Sequence, residues 1–128
     1  MSSLIYDAGA LLAAERNNRQ FLDVHKTALR KGWHIAVPAP VLTQAWRGGV
    51  GRQAVLAMVL RGIEVVPTDE DIARQAGVLL GLSGTSDAVD AIVVATAARY
   101  TATVVTSDPK DLRVLGDAAA FHLGMVEV

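Results

Sequence analysis

Two rhythms of apolar and polar positions run along the chain. The first is a set of short apolar runs that each stop at a polar or helix-breaking residue: SLIY (3–6) ends at Asp7, HIAV (34–37) at Pro38, IEVV (63–66) at Pro67, and TATVVT (101–106) leads into Ser107. Runs of this length between breakers predict strands. Between them lie longer stretches with helical spacing. AGALLAAERNNRQFLDVHKTALRKG carries Leu11, Leu12, Phe21, Leu22 and Leu29 on that spacing and predicts one helix stopped by Gly32. PVLTQAWRGG predicts a short helix with Pro40 in its first turn, and RQAVLAMVLRG predicts another. Thr68, Asp69, Glu70 and Asp71 combine a cap with acids, as helix starts do, and predict a helix to about Leu80. GLSGTS (81–86) reads as a loop, DAVDAIVVATAARY (87–100) as a mostly buried helix, SDPKDLRVL as a short capped helix, and AFHLGMVEV (120–128) as the segment of a final strand.

Strands that alternate with helices and never follow one another predict βαβ units, hence an α/β fold with a mostly parallel sheet covered on both faces. The 128 residues contain no internal repeat, low-complexity tract or linker, so one domain over 1–128 is expected. The absence of cysteine excludes disulfides, thiol nucleophiles and Cys-ligated zinc. MSSLIYDAGALLAAERNN lacks a basic leading region and places Asp7 inside its apolar stretch, which makes it a poor signal peptide. The apolar runs at 54–60 and 91–98 fall far short of the ~18 residues that span a bilayer. No membrane association and a cytoplasmic location are therefore expected.

The candidate chemistry is acidic. Asp7 closes the first strand, Asp87 and Asp90 open a helix, and Asp108 stands where a strand turns into a helix. In an open parallel sheet, functional groups gather beyond the carboxyl ends of the strands, where Asp7 and Asp108 project. Asp87 with Asp90, and Asp108 with Asp111, each share a helix face. Asp87 and Asp108 also have the plain role of helix caps. Asp7 and Asp90 are harder to place as purely structural residues, because a lone charge among apolar residues is expensive. Crowded carboxylates need protons or cations, and an oxygen-only donor set favours Mg²⁺ or Mn²⁺ over zinc. Such an ion commonly activates water and neutralises the developing charge of a phosphodiester. The hydroxyls of Thr106 and Ser107 can orient Asp108 or cap the next helix.

Taken in order, IYDAGALLA, DAVDAIVVATA and ATVVTSDPKDL resemble the PIN-domain ribonucleases, especially VapC-type toxins of toxin–antitoxin pairs, over nearly the whole chain. The resemblance implies a Rossmann-like three-layer α/β/α sandwich and Mg²⁺- or Mn²⁺-dependent endonucleolytic cleavage of RNA. It matches Asp7 to the first metal-binding acid, Asp90 to the acid of the D-A-x-I-x-A-T-A helix, and Asp108 to the acid or Asn after the last core strand. Asp87 corresponds to an extra acid found in some members, which contacts a metal through water. It also implies an antitoxin partner and a homodimer, to which the apolar stretch QAVLAMVL can contribute. One position departs from the pattern: the helix after the second strand usually carries a Glu, and here the matching residue is Gln44, which offers a carbonyl oxygen but no charge. Glu15 is another acid within reach in sequence, at a spacing that is not the family's.

Twelve Lys and Arg against thirteen Asp and Glu conceal an uneven layout. From Val24 to Ile63 there are six basic residues and no acid; from Glu64 to Asp90 there are six acids against Arg74 alone. The basic half can guide a polyanion towards an acidic metal site, with Arg47 and Arg52, on either side of GGVG, as the first candidates for RNA contact. At 5% aromatic residues a base-stacking platform is not expected. Trp33 and Trp46 read as core or interface residues, and His25, His34 and His122 as core or solvated. Gln44 also motivates a second reading, a PIN module that binds RNA or protein without cutting. A receiver domain of a response regulator shares the length and the acidic pocket, but needs an acidic pair after the first strand, where Asp7 stands alone.

Overall fold

The computed structural model describes residues 3–119 and 121–128. Its centre is a sheet of β1 (Ser3–Tyr6), β2 (His34–Pro38), β3 (Glu64–Val66), β4 (Thr103–Thr106) and β5 (Met125–Glu127), in the order β3-β2-β1-β4-β5. Every pairing is parallel. β-branched and apolar residues fill it, and Ile5, Tyr6, Val37, Val104 and Val105 are inaccessible to water, as a sheet covered on both faces requires.

The helices are α1 (Ala8–Glu15), α2 (Arg19–Lys31), α3 (Ala39–Ala45), α4 (Ala54–Arg61), α5 (Glu70–Ser83), α6 (Ala88–Tyr100) and α7 (Pro109–Ala118). They cover both faces, making the sandwich of three layers. No single helix among the described residues is long and apolar enough to cross a membrane.

The single helix expected from Ala8 to Lys31 is two. Asn17 takes a left-handed conformation (φ 55°), and the Asn18 side chain accepts a hydrogen bond from the Phe21 amide to start α2. Asn is among the few residues that tolerate φ > 0, and it caps helices well, so the pair in ERNNRQ is the break. Gly32 does end α2, in the left-handed region open to glycine. Beyond Leu80, α5 continues to Ser83, so the first half of GLSGTS is helical. The expected RQAVLAMVLRG helix begins as a 3-10 turn (Gly51–Gln53) before α4. Of the last expected strand segment only Met125–Glu127 pairs, and Ala120 lies outside the described residues.

In chain order the sheet grows from β1 through β2 to β3 on one side, then returns to β4 on the other side of β1. The sequence therefore reverses direction between β1 and β4. Loops leaving those two strands diverge to opposite faces, opening a crevice at their carboxyl ends. The register of Tyr6 on Val105 carries Asp7, the next residue, to the level of Thr106.

A candidate acidic site at the reversal of the sheet

Asp7 ends β1 and caps α1. Its amide donates to the Val105 carbonyl (3.3 Å), extending the ladder by one residue, and its Oδ1 accepts from the Ala10 amide (2.9 Å). The carboxylate is 7% exposed. Burial pushes its pKa above the ordinary carboxylate range; hydrogen bonds from the Thr106 hydroxyl and the Ala10 and Gly9 amides oppose that, and the charge of Asp108 adds to it. Thr106, fully buried, also accepts through Oγ1 from the Asp108 amide (3.0 Å). One hydroxyl thus ties the acid after β1 to the acid after β4, donating to the first and accepting from the backbone of the second. Among the described residues Ser107 makes no such side-chain hydrogen bond to Asp108; its side chain lies over Gly9.

Asp108 caps α7, accepting from the Lys110 amide (3.3 Å), with Pro109 next, where a missing N–H costs nothing. Asp87 caps α6 by accepting from the Asp90 amide (3.0 Å). All three acids therefore do the structural work of helix caps. A carboxylate has two oxygens and about four acceptor positions, so capping leaves the second oxygen free for other ligands.

Asp90, half-buried in the first turn of α6, is strongly perturbed. Its pKa is pushed up to about 7, first by burial and then by the charges of Asp87, Asp7 and Asp111. Asp87, Asp90 and Asp111 line one cleft of about 290 Å³ together with Thr85, Ser86 and Val114. Asp7 and Asp108 sit at the neighbouring reversal point, and the coupling of Asp7 to Asp90 joins the two halves. Among the described residues no three His, Asp or Glu side chains meet at one point as they stand. The carboxylates are grouped, and their oxygens have not converged.

Gln44 lies on the exposed side of the last turn of α3 and contributes nothing to the environment of Asp7 or Asp90. Glu15 stands two turns along α1 from Asp7, about 12 Å of helical rise away. There it accepts from Gln53 Nε2 (2.6 Å), with Arg52 at 3.9 Å. Arg52 is otherwise exposed. Arg47 turns back on its own helix, donating to the carbonyls of Thr43 (3.2 Å) and Trp46 (2.7 Å).

Three features had no signal in the sequence. Gln53, 4% exposed, accepts from the amides of Arg47 and Gly49 and donates to Glu15 and the Ala45 carbonyl, holding the GGVG loop. Nothing distinguishes it in sequence from a surface glutamine. Tyr6 donates to or accepts from His25 Nδ1 (2.8 Å), so His25 is the core histidine of the three. A groove of about 600 Å³ runs between α3, α4 and β3, lined by Leu42, Trp46, Leu60 and Val65. Trp46, expected in core or interface, is 40% exposed there, and Met58 of the QAVLAMVL stretch is 58% exposed on α4.

Known proteins place this fold. Over nearly its whole length the chain superposes on VapBC2 from Rickettsia felis, solved bound to a promoter DNA fragment (17% identity, TM-score 0.77, 98% of each chain). It does so equally on a toxin–antitoxin complex from Klebsiella pneumoniae (21%, TM-score 0.70, 98% of this chain and 99% of that one). FitAcB from Neisseria gonorrhoeae follows (14%, TM-score 0.69, 97% and 96%). No curated protein matches the chain by sequence. The PIN domain family model matches residues 4–117, which contain β1 from Leu4 on, β4 and all five grouped acids, and the chain belongs to the PIN domain family.

Proposed function

We propose that this PIN domain is an Mg²⁺- or Mn²⁺-dependent endoribonuclease of the VapC type, a toxin neutralised by an antitoxin and active in the cytoplasm. The observation that carries the proposal is the grouping of acids, with Asp87, Asp90 and Asp111 lining one cleft and the charges of Asp7, Asp87 and Asp111 acting on Asp90; crowding of this kind is relieved by a cation. The all-oxygen donor set fits a hard divalent ion. Asp7, Asp90 and Asp108 would hold it, with Asp87 contacting it through water and Asp111 completing the acidic wall. When bound, such an ion supplies an activated water and neutralises the developing charge of the phosphodiester. The chain contributes position: Thr106 fixes Asp7 relative to Asp108, and the first turn of α6 presents Asp90 beside Asp7. Arg47 and Arg52 are the proposed RNA contacts, Arg47 after releasing the carbonyls it now caps. The family's fold relatives were solved as toxin–antitoxin complexes, which supports an antitoxin as partner. The exposed apolar residues of α4 support a homodimer.

The test is cleavage of RNA by the purified chain with Mg²⁺ or Mn²⁺, against EDTA and against Asp7→Asn. Loss of cleavage in both controls is expected; cleavage that survives either one refutes the assignment. A second reading, a module that binds RNA or a partner without cutting, is favoured by the neutral Gln44. It predicts millimolar or weaker Mn²⁺ affinity and no cleavage by well-folded protein.

A further inference from the structure

We propose that Gly9 and Ser107 are a positioning pair that sets the spacing of the two acid-bearing turns; the inference rests on the reading of those acids as a cation site. Gly9 is the second residue of α1, two after Asp7, and its amide is one of the donors to the Asp7 carboxylate. Ser107 lies between Thr106 and Asp108 in the turn that leaves β4. A Cβ built on Gly9 would stand 2.2 Å from Ser107 Oγ and 3.0 Å from the Ser107 amide nitrogen. The missing side chain is thus the space that the Ser107 hydroxyl fills, and a side chain at Gly9 would displace that hydroxyl and crowd the backbone behind it.

A methyl on Gly9 turns the Ser107 hydroxyl out of its place and, with the Ser107 amide nitrogen at 3.0 Å and its Cβ at 3.1 Å, pushes the β4–α7 turn back by a few tenths of an ångström. That displacement acts on the bond from the Thr106 hydroxyl to Asp7 and on the place of Asp108, while the β1–β4 ladder behind them stays paired. Gly9 and Ser107 reach the ion only through Asp7 and Asp108, so they position and do not ligate.

The experiment measures Mn²⁺ affinity and melting temperature of the full chain as wild type, Gly9→Ala, Ser107→Gly and the double variant. Gly9→Ala is expected to weaken Mn²⁺ binding by about tenfold or more at a temperature where it is fully folded, the size usual for residues behind a metal ligand. Adding Ser107→Gly removes the 2.2 Å contact and leaves only the 3.0 Å approach to the backbone, so it restores most of the affinity. A packing role alone would lower the melting temperature without touching affinity. Wild-type affinity in Gly9→Ala overturns the inference and leaves the functional reading standing. A wild type that binds no Mn²⁺ overturns both. If Gly9→Ala does not fold, the double variant decides: folding with near wild-type affinity supports the pair, and failure to fold or bind overturns it.

Discussion

Replacing Asp90 with asparagine is expected to make the metal-free protein more stable while abolishing its affinity for divalent ions. The folded state holds the Asp90 proton up to about pH 7, whereas a free Asp gives its proton up near pH 3.8. Between these values the folded chain binds more protons than the unfolded one, so stability falls as pH rises through that window and stays low above it. At ~1.4 kcal/mol per pH unit the full effect is about 4 kcal/mol. Water reaching the half-buried carboxyl screens this to about 2 kcal/mol. Asn keeps the shape, removes the charge, and gives up ~0.5 kcal/mol of favourable interaction with the start of α6. A net gain of about 1 to 2 kcal/mol at pH 8 follows, or roughly 5 °C in melting temperature for a domain of this size. At pH 5, about one pH unit into that window, the gain is smaller, and it disappears only below pH 3.8. Thermal melts of both proteins in EDTA at pH 5 and pH 8, with Mn²⁺ titrations at pH 8, give the comparison. An Asn variant that is less stable at pH 8, or equally stabilised at both pH values, would refute the account of Asp90 as a carboxylate under strain from its neighbours.

Three further outcomes are expected. Thr106→Val removes the side-chain donor to the Asp7 carboxylate and leaves the Asp108 amide without its acceptor, costing about 1 to 2 kcal/mol in chemical denaturation and weakening Mn²⁺ binding, while Thr106→Ser retains both. Gln53→Leu strands two amides, a carbonyl and Glu15, and should cost about 3 kcal/mol, with amide exchange accelerating first at Arg47 and Gly49. Burial lowers the pKa of His25, so the fold keeps it neutral while the unfolded chain protonates it below 6.5. The His25 contribution therefore lowers stability as pH drops below 6.5, opposite in sign to that of Asp90, and His25→Asn should remove it, so that the variant gains stability relative to wild type in melts from pH 7 to pH 5.

The strand–helix alternation and its closing Asp residues were legible because both are local. A four-residue apolar run stopped by Asp7 reads the same in isolation as in the sheet, and the caps at Asp87 and Asp108 are made by amides two or three residues away. The break at Asn17 was also local, but a leucine repeat continuing on both sides hid it, so periodicity outweighed one left-handed residue. The resemblance in three ordered motifs named the acids that the sheet then brought to one rim.

What the sequence could not carry is everything set by distance across the chain. Strand order, with β4 returning beside β1, decides that Asp7 meets Thr106 and Asp108 from a hundred residues away. The pKa of Asp90 comes from burial and from the charges of Asp87 in its own turn and of Asp7 and Asp111 on other elements, a sum that only folding assembles. Asp111, Gln53 and Gly9 acquire their roles in the same way, through neighbours that arrive only on folding. Local chemistry determined which groups this protein has; long-range packing, which excludes water and fixes their separations, decided how strongly they act on one another.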